Sequence, residues 1–247
     1  MTRIVAIVQA RMGSTRLPAK VMLPLLGEAV LTRVMRRAGR ARTLDEVVVA
    51  TTTLSEDEAI VTLASAEGWP IERGSETDLL DRYLVAARSH AADVIVRVTS
   101  DCPLIDPEVI DATVLAFRTA GVDYASNTLE PATWPRGLDV EVMSRAALER
   151  AGHEDHDPAW REHVTPYLYR HPDAFRLLRV HAEDDHADQR WSIDTPEDYE
   201  LVRRIYEAIG SDDFGWRTAL AVVERHPSWS SLNRDVVQKV VPPATGD

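Results

Sequence analysis

The amino-acid sequence predicts an α/β protein: a three-layer α/β/α arrangement around a mixed, mostly parallel sheet. Three observations lead there. Residues 4–8 (IVAIV), 47–52 (VVVATT) and 94–99 (VIVRVT) are unbroken runs rich in β-branched residues, the pattern of strands covered on both faces. Segments with helical spacing of apolar residues separate them, so strand and helix alternate along the first half. The lone cysteine, Cys102, excludes a disulfide framework and the paired ligands of zinc modules, which leaves an apolar core to hold 247 residues together.

Taken in order, strand 4–8 leads to a helix over 30–41 and then to strand 47–52. A helix over 56–67, with Ser55 as N-cap, and another over 77–90 precede strand 94–99. A helix over 107–120 follows, with Asp106 as N-cap and Pro107 in its first turn. Beyond it, 138–143 (LDVEVM) and 175–180 alternate apolar and polar residues like half-exposed strands. Helices over 144–151, 158–169 and 196–209 come next, and the tail from Pro227 is poorly patterned. The chain reads as a single domain, 1–247: a first half to about 125, a second half over about 126–210, and a C-terminal helix and tail over 211–247.

Charge narrows the function. With 28 Lys and Arg against 40 Asp and Glu, the formal charge is −12, and the long-range field repels nucleic acid and anionic lipid. The apolar segment after Met1 is too short for a signal peptide and no stretch is long enough to span a membrane, so a cytoplasmic location is expected. An anionic small molecule then needs a local cationic pocket, and one is offered by QARMGSTRLPAK at the end of the first strand. Its Arg11, Arg16 and Lys20 surround a Gly13-Ser14 turn whose N–H groups suit an anion. The dinucleotide and P-loop glycine signatures are absent.

Two aspartates follow other strands. Asp101, in VRVTSDCPLID, leaves a buried strand just before Pro103, and reads either as a metal ligand or as a turn cap. Asp194, in RWSIDTPEDYELV, stands at a helix start where capping is the stronger reading of the residue alone, and it reads as a metal ligand only when joined to the cationic loop and Asp101. Cys102 has no activating base in the sequence and reads as a small buried thiol. Trp134, Trp160 and Trp191 read as core. The histidines of GHEDHDPAWREH (His153, His156, His163) lack the H-E-x-x-H spacing and read as part of a charged loop.

Together these segments resemble the cytidylyltransferases that activate acidic sugars, the 3-deoxy-manno-octulosonate and acylneuraminate enzymes, and most closely the spore-coat polysaccharide biosynthesis branch. RMGSTRLPAK is similar to that family's triphosphate loop, SDCPLID and IDTPEDY to its two metal motifs, and RGSETDLLDRY, PRGLDVEV and REHVTPY to stretches particular to the branch. The resemblance implies a Rossmann-like nucleotide-diphospho-sugar transferase fold. It implies that Gln9, Arg11, Gly13, Ser14, Arg16 and Lys20 hold nucleotide phosphates, that Gly74, Ser75 and Asp78 lie near base and ribose, and that Asp101 and Asp194 hold Mg²⁺. Arg136, Asp139, Arg161, Glu162 and His163 would face the acceptor. The implied reaction is attack of an acceptor oxygen on CTP with loss of pyrophosphate, Lys20, Arg16 and Asp101 carrying catalysis, in a possible homodimer. Thr99-Ser100-Asp101-Cys102-Pro103 departs from the Gln-Gly-Asp-Glu-Pro stretch of the octulosonate enzymes, so the acceptor stays open. Two rivals remain: a glycosyltransferase, for which only Asp155 and Asp157 give the Asp-x-Asp spacing, and a non-catalytic nucleotide-binding protein.

Overall fold

The computed structural model describes residues 2–239 and Val241. The rest of the expected C-terminal tail, 240 and 242–247, lies outside the described residues. Strand β1 (Ile4–Gln9) is followed by a small hairpin, β2 (Pro24–Leu25) and β3 (Glu28–Ala29), and by α1 (Val30–Ala38). Then come β4 (Glu46–Thr52), α2 (Glu58–Glu67), β5 (Ile71–Gly74), α3 (Leu79–Ser89), β6 (Val94–Thr99), α4 (Pro107–Ala120) and β7 (Tyr124–Ser126). The second half holds β8 (Glu141–Ser144), α5 (Arg145–Glu154), α6 (Pro158–Arg161), α7 (Pro166–Arg170), β9 (Leu177–Arg179), α8 (Pro196–Ile209) and α9 (Trp216–Arg225).

The main sheet has seven strands in the order β5-β4-β1-β6-β8-β7-β9, and only β8 runs against its neighbours. Period-two side-chain direction gives each strand two buried faces. On β1, Ile4, Ala6 and Val8 join the core beneath α1, α4, α8 and α9, while Val5 and Ile7 join the core beneath α3, α5 and α7. That two-sided burial is why the sequence shows continuous apolar runs. The register pairs Gln9 with Thr99, so β1 and β6 end flush and the loops from Ala10 and Ser100 leave the sheet side by side. Ligands of such sheets sit beyond these carboxyl ends.

Several expected boundaries move. Helix α1 stops at Ala38 rather than 41, with Gly39 as its C-cap. Ser55 does not cap α2; it begins a short 3₁₀ turn, Ser55–Asp57, ahead of that helix. The helix expected over 77–90 is trimmed to α3, with Asp78 as its N-cap. The single helix expected over 158–169 is two, α6 and α7, because Val164 adopts a left-handed φ of 70° and Pro166 cannot continue the first. The second half also differs in burial. Strand β8 is not half-exposed: Glu141, Val142 and Met143 are all buried. Glu141 belongs inside because its carboxylate is paired, accepting hydrogen bonds from Arg97, Tyr124 and Thr165.

One glycine is demanded by close approach. Residues Arg136 and Arg190 pair in parallel, with the Arg136 N–H donating to Gln189 at 3.0 Å and the Trp191 N–H to the Arg136 carbonyl at 2.7 Å. Gly137, at φ 102°, follows directly, and a Cβ there would lie 2.6 Å from both the Trp191 carbonyl carbon and the Ser192 nitrogen. Gly210 has a positive φ of 71° but open space around it. Gly137→Ala is therefore expected to lose about 3 kcal/mol, from left-handed strain plus overpacking, and Gly210→Ala only about 1 kcal/mol. Urea unfolding of both variants checks this, and equal losses would contradict the close-approach account.

Candidate active site

The site is assembled where three chain segments meet at the carboxyl ends of β1 and β6. The loop after β1 delivers Lys20, the turn after β6 delivers Asp101, and the segment before α8 delivers Asp194. The Ile193 N–H donates to the Asp101 carbonyl at 2.8 Å, so the last two segments are joined through the backbone itself. Lys20 Nζ donates to Asp101 Oδ2 at 2.7 Å, to Asp194 Oδ1 at 2.9 Å and to the Ile193 carbonyl at 2.8 Å. Arg16 reaches the same Asp194 oxygen at 3.1 Å, and Arg190 takes the other at 2.8 Å. Arg190 also pairs with the buried Asp198 at 2.9 Å. Three cations thus face three carboxylates in one cluster.

The charges shape one another. Burial disfavours the charged form of Lys20, but the two carboxylates outweigh it and the pKa is raised. Burial likewise pushes the Asp101 carboxyl up, and the Lys20 charge and hydrogen bond reverse this, holding it down at about 2. Both groups are ionised at neutral pH. Beside them the Cys102 thiol is pushed well up by burial and by the Asp101 charge, which fits an inert buried thiol.

Two buried acids that sequence reasoning missed hold the segments in place. Asp57 accepts the Met12 N–H at 2.7 Å and the Thr52 hydroxyl, tying the loop after β1 to the end of β4. Asp198 forms a capping box with Thr195 and accepts the Asp194 N–H at 3.0 Å, while Asn233 donates to it at 2.8 Å. The cap of α8 is therefore Thr195 with Asp198, and the Asp194 side chain points to the cluster instead. The sequence signal for Asp198 was the T-x-x-D spacing; Asp57 gave none. Asp106 caps α4 as expected, and Trp160 and Trp191 are buried.

The other candidate residues divide. Among the described residues no partner takes the N–H groups of Gly13 and Ser14, and the Ser14 hydroxyl accepts the Leu17 N–H at 3.4 Å. Arg11 does not converge with Arg16 and Lys20; it turns the other way and pairs with Glu162 at 3.3 Å. Gln9 Oε1 accepts from Arg97 Nε and from the Tyr83 hydroxyl, each at 3.1 Å, which leaves the amide nitrogen as the group it can present. Gly74 ends β5, and the Ser75 hydroxyl accepts the Asp78 N–H at 3.0 Å. Asp78 caps α3 and pairs with Arg161 at 2.7 Å; Arg161 in turn donates to the Gly152 and Asp155 carbonyls, so this pair clamps α3 to α5 and α6. Arg136 precedes the Gly137 contact, and Asp139 Oδ1 accepts the Gly137 N–H at 3.0 Å. Burial raises the Asp139 carboxyl, against the opposing charge of Arg136. Burial also lowers the His163 pKa, with Glu162 opposing and Arg97 and Arg11 assisting, so its imidazole is neutral at pH 7.

The rival constellations find no support in the geometry. Asp157 caps α6 and Asp155 Oδ1 accepts the Asp157 N–H at 3.0 Å, so the Asp-x-Asp pair forms a local turn, with Asp155 Oδ2 buried and without a hydrogen-bond partner. Among the described residues no group of three or more His, Cys, Asp and Glu side chains gathers as a metal site, the histidines around 153–163 included, and no helix is long and apolar enough to cross a membrane.

The coupling of Lys20 to Asp101 carries a pH signature. A carboxyl depressed from 3.8 to about 2 adds stability that is present above pH 3.8 and lost as pH falls through 2, about 2 kcal/mol at most. Lys20→Met removes that term. Its stability deficit against the wild type should be full at pH 6 and should narrow as pH falls from about 4 toward 2. Chemical unfolding across that range tests it, and a deficit independent of pH would contradict the pairing.

A model of the cytidylyltransferase family matches residues 5–214. The spore coat polysaccharide biosynthesis protein SpsF of Bacillus subtilis is 33% identical over 235 residues, covering 92% of this chain and 96% of its own. A 3-deoxy-manno-octulosonate cytidylyltransferase of Anaeromyxobacter dehalogenans is 30% identical, covering 84% of this chain and 99% of its own. The structure of a cytidylyltransferase from Leptospira borgpetersenii superposes with a TM-score of 0.89 at 32% identity, covering 97% of this chain and 100% of that one. With the family model spanning residues 5–214 and a relative 33% identical across 92% of it, the chain belongs to the cytidylyltransferase family.

Proposed function

We propose that this protein is a Mg²⁺-dependent enzyme that transfers CMP from CTP to a sugar or sugar-like acceptor and releases pyrophosphate, in the cytoplasmic biosynthesis of a cell-surface polysaccharide or glycoconjugate. The observation that carries the reading is the Lys20 ammonium held 2.7 and 2.9 Å from the carboxylates of Asp101 and Asp194. The names of the relatives support the donor and the pathway class. The net charge of −12 argues against a nucleic-acid partner.

The residues fit a divalent cation. The chain itself places a positive charge between the two carboxylates, and beyond Lys20 the Asp101 carboxylate meets only neutral groups, the Cys102 thiol at 3.6 Å and the Thr99 hydroxyl, among the described residues. Mg²⁺ takes one or two carboxylates and completes its octahedron with phosphate oxygens and water, so two aspartates suffice. Asp101 and Asp194 would hold it, and there it would supply charge neutralisation at the α-phosphate and acidify the attacking acceptor hydroxyl.

The protein's own groups do the rest by position. The acceptor oxygen forms a bond to the α-phosphorus as the bond to the bridging β-phosphate oxygen breaks in line, and no side chain is covalently modified. Lys20 and Arg16 offset the charge that builds on departing pyrophosphate, Arg16 as a planar fork and Lys20 as a mobile point charge. Arg190 and Asp198 keep Asp194 facing the cluster, and Asp57 fixes the backbone at Met12. Gln9, Gly13 and Ser14 offer N–H donors to the nucleotide, and Gly74 and Ser75 border its base. Arg136, Asp139, Glu162 and the neutral His163 line the acceptor side, where they orient polar groups of a sugar.

The test is pyrophosphate release followed by ³¹P NMR, with CTP, Mg²⁺ and acidic sugars beginning with 3-deoxy-manno-octulosonate. Release with CTP should exceed release with the other three nucleotides, and a new phosphodiester signal should appear with the right acceptor. Asp101→Asn and Asp194→Asn should each lower turnover at least about a hundredfold while folding is kept, since the amide preserves shape without charge. If both variants turn over normally, the two aspartates are not the metal pair.

A further inference from the structure

The two arginines that bracket Asp194 each have a second partner, and both partners come from one stretch of chain beyond α9. Arg16 and Arg190 meet the two Asp194 oxygens through Nη2, at 3.1 and 2.8 Å. Their Nη1 groups are taken by consecutive residues: Arg16 donates to the Val237 carbonyl at 3.4 Å, and Arg190 to the Gln238 side-chain oxygen at 2.6 Å. Further on, Arg170 at the end of α7 donates to the Val241 carbonyl at 3.0 Å. Helix α8 packs into the core on one face of the sheet and α7 into the core on the other. The segment that starts beside Asp198 and reaches Arg170 therefore passes the carboxyl rim at the cluster itself.

The segment is fixed at its root and loosely held beyond it. Asn233 is only 5% exposed and donates to the Arg190 carbonyl at 2.9 Å and to Asp198 at 2.8 Å. From 234 to 239, the one backbone-to-backbone hydrogen bond among the described residues runs from the Val236 N–H to the Asn233 carbonyl, at 3.1 Å. Val237 is 81% exposed, so apolar burial does not hold the segment down there. What holds it is the pair of guanidinium corners, and its oxygens on them are neutral. An anionic phosphate oxygen makes a shorter and roughly twice as strong bond to the same group. A triphosphate arriving at Lys20 and Arg16 thus competes with the segment for Arg16, and competes with advantage.

We propose that residues 234–239 form an autoinhibitory strap: the Val237 carbonyl and the Gln238 side-chain oxygen occupy the outer corners of Arg16 and Arg190 as stand-ins for phosphate oxygens, and the nucleotide triphosphate displaces them. The inference rests on the cytidylyltransferase reading, which puts the triphosphate at Arg16, and adds that the chain closes its own site when no nucleotide is bound. The affinity of the intact chain is then the intrinsic affinity reduced by the fraction of molecules with the strap released. Release is local, because the root at Asn233 stays on Asp198 and the support of Asp194 is kept.

The experiment follows the strap and the affinity together in the full chain. Val237→Cys carries a nitroxide at the exposed position, while Cys102, 1% exposed, stays unlabelled. Adding inorganic tripolyphosphate or CTP, each with Mg²⁺, should sharpen the nitroxide spectrum, with saturation at the Kd that calorimetry gives. Gln238→Ala removes the Arg190 contact and should tighten both ligands by about threefold to tenfold. Gln238→Glu sets a carboxylate against Arg190, anchors the strap and should weaken both ligands by a similar factor. A nitroxide that keeps its ligand-free spectrum at saturation, or Gln238→Ala affinities equal to those of the wild type, would overturn the strap alone. Weaker binding by Gln238→Ala would make the segment a lid that helps to hold the nucleotide, and that result also overturns the proposal. A wild type that binds neither ligand would overturn this inference and the functional reading together.

Discussion

Everything at the rim depends on one ammonium group between two carboxylates. Lys20 reaches Asp101 and Asp194 from separate parts of the chain, and without a cation there the two acids would repel each other across a partly desolvated gap. Arg16 and Arg190 extend the arrangement, so that Asp194 alone answers to three positive groups. The cluster is balanced, three charges of each sign. A balanced set of ions at a strand-end rim can exchange partners, and bringing in a triphosphate with its cation adds acids and a counter-charge that Lys20 and Arg16 can follow.

The scaffold makes that exchange local. Flush endings of β1 and β6 set the loop after Gln9 beside the turn after Thr99. Buried acids then tie the connecting segments down: Asp57 holds the loop after β1, and Asp198 holds the segment before α8. Each gives one oxygen to backbone N–H groups of the segment it holds, Asp57 to Met12 and Asp198 to Asp194 and Thr195, which fixes the main chain while the side chains of Lys20, Arg16 and Asp194 reach the cluster. The Asp78–Arg161 pair ties the start of α3 to α5 and α6, since Arg161 also donates to the Gly152 and Asp155 carbonyls. Rigid main chain with movable charged tips suits chemistry in which positioning supplies most of the acceleration.

The parallel half of the fold was legible because its strands are buried on both faces, so β1, β4 and β6 wrote themselves as apolar runs. Helices with strong punctuation, α4 after Asp106-Pro107 and α8 after Thr195-Pro196, came out at their true limits. The second half was harder. Glu141 looks like the solvent side of a strand and is buried against Arg97, Tyr124 and Thr165, partners 44, 17 and 24 residues away that no local pattern reveals. The break between α6 and α7 depends on a left-handed Val164, which β-branched residues seldom adopt. In the site, Arg16, Lys20 and Asp101 stood out by residue type after buried strands, and the structure brings them together with Asp194, which follows no strand but only the isolated pairing at Arg190. Arg11 was grouped with them by proximity in sequence, and its side chain turns the other way to Glu162. Arg190 and Asp57 were invisible, since their importance lies in what packs around them.

The central claim is that the place held by the Lys20 ammonium, between Asp101 and Asp194, is where a divalent ion and the nucleotide phosphates meet. A crystal structure with CTP and Mn²⁺, read by the anomalous signal of the metal, tests it most directly. Mn²⁺ is expected on the Asp101 and Asp194 carboxylates, with Lys20 withdrawn onto phosphate oxygens. Mn²⁺ bound elsewhere, with Lys20 still bridging the two aspartates beneath a bound nucleotide, would contradict it.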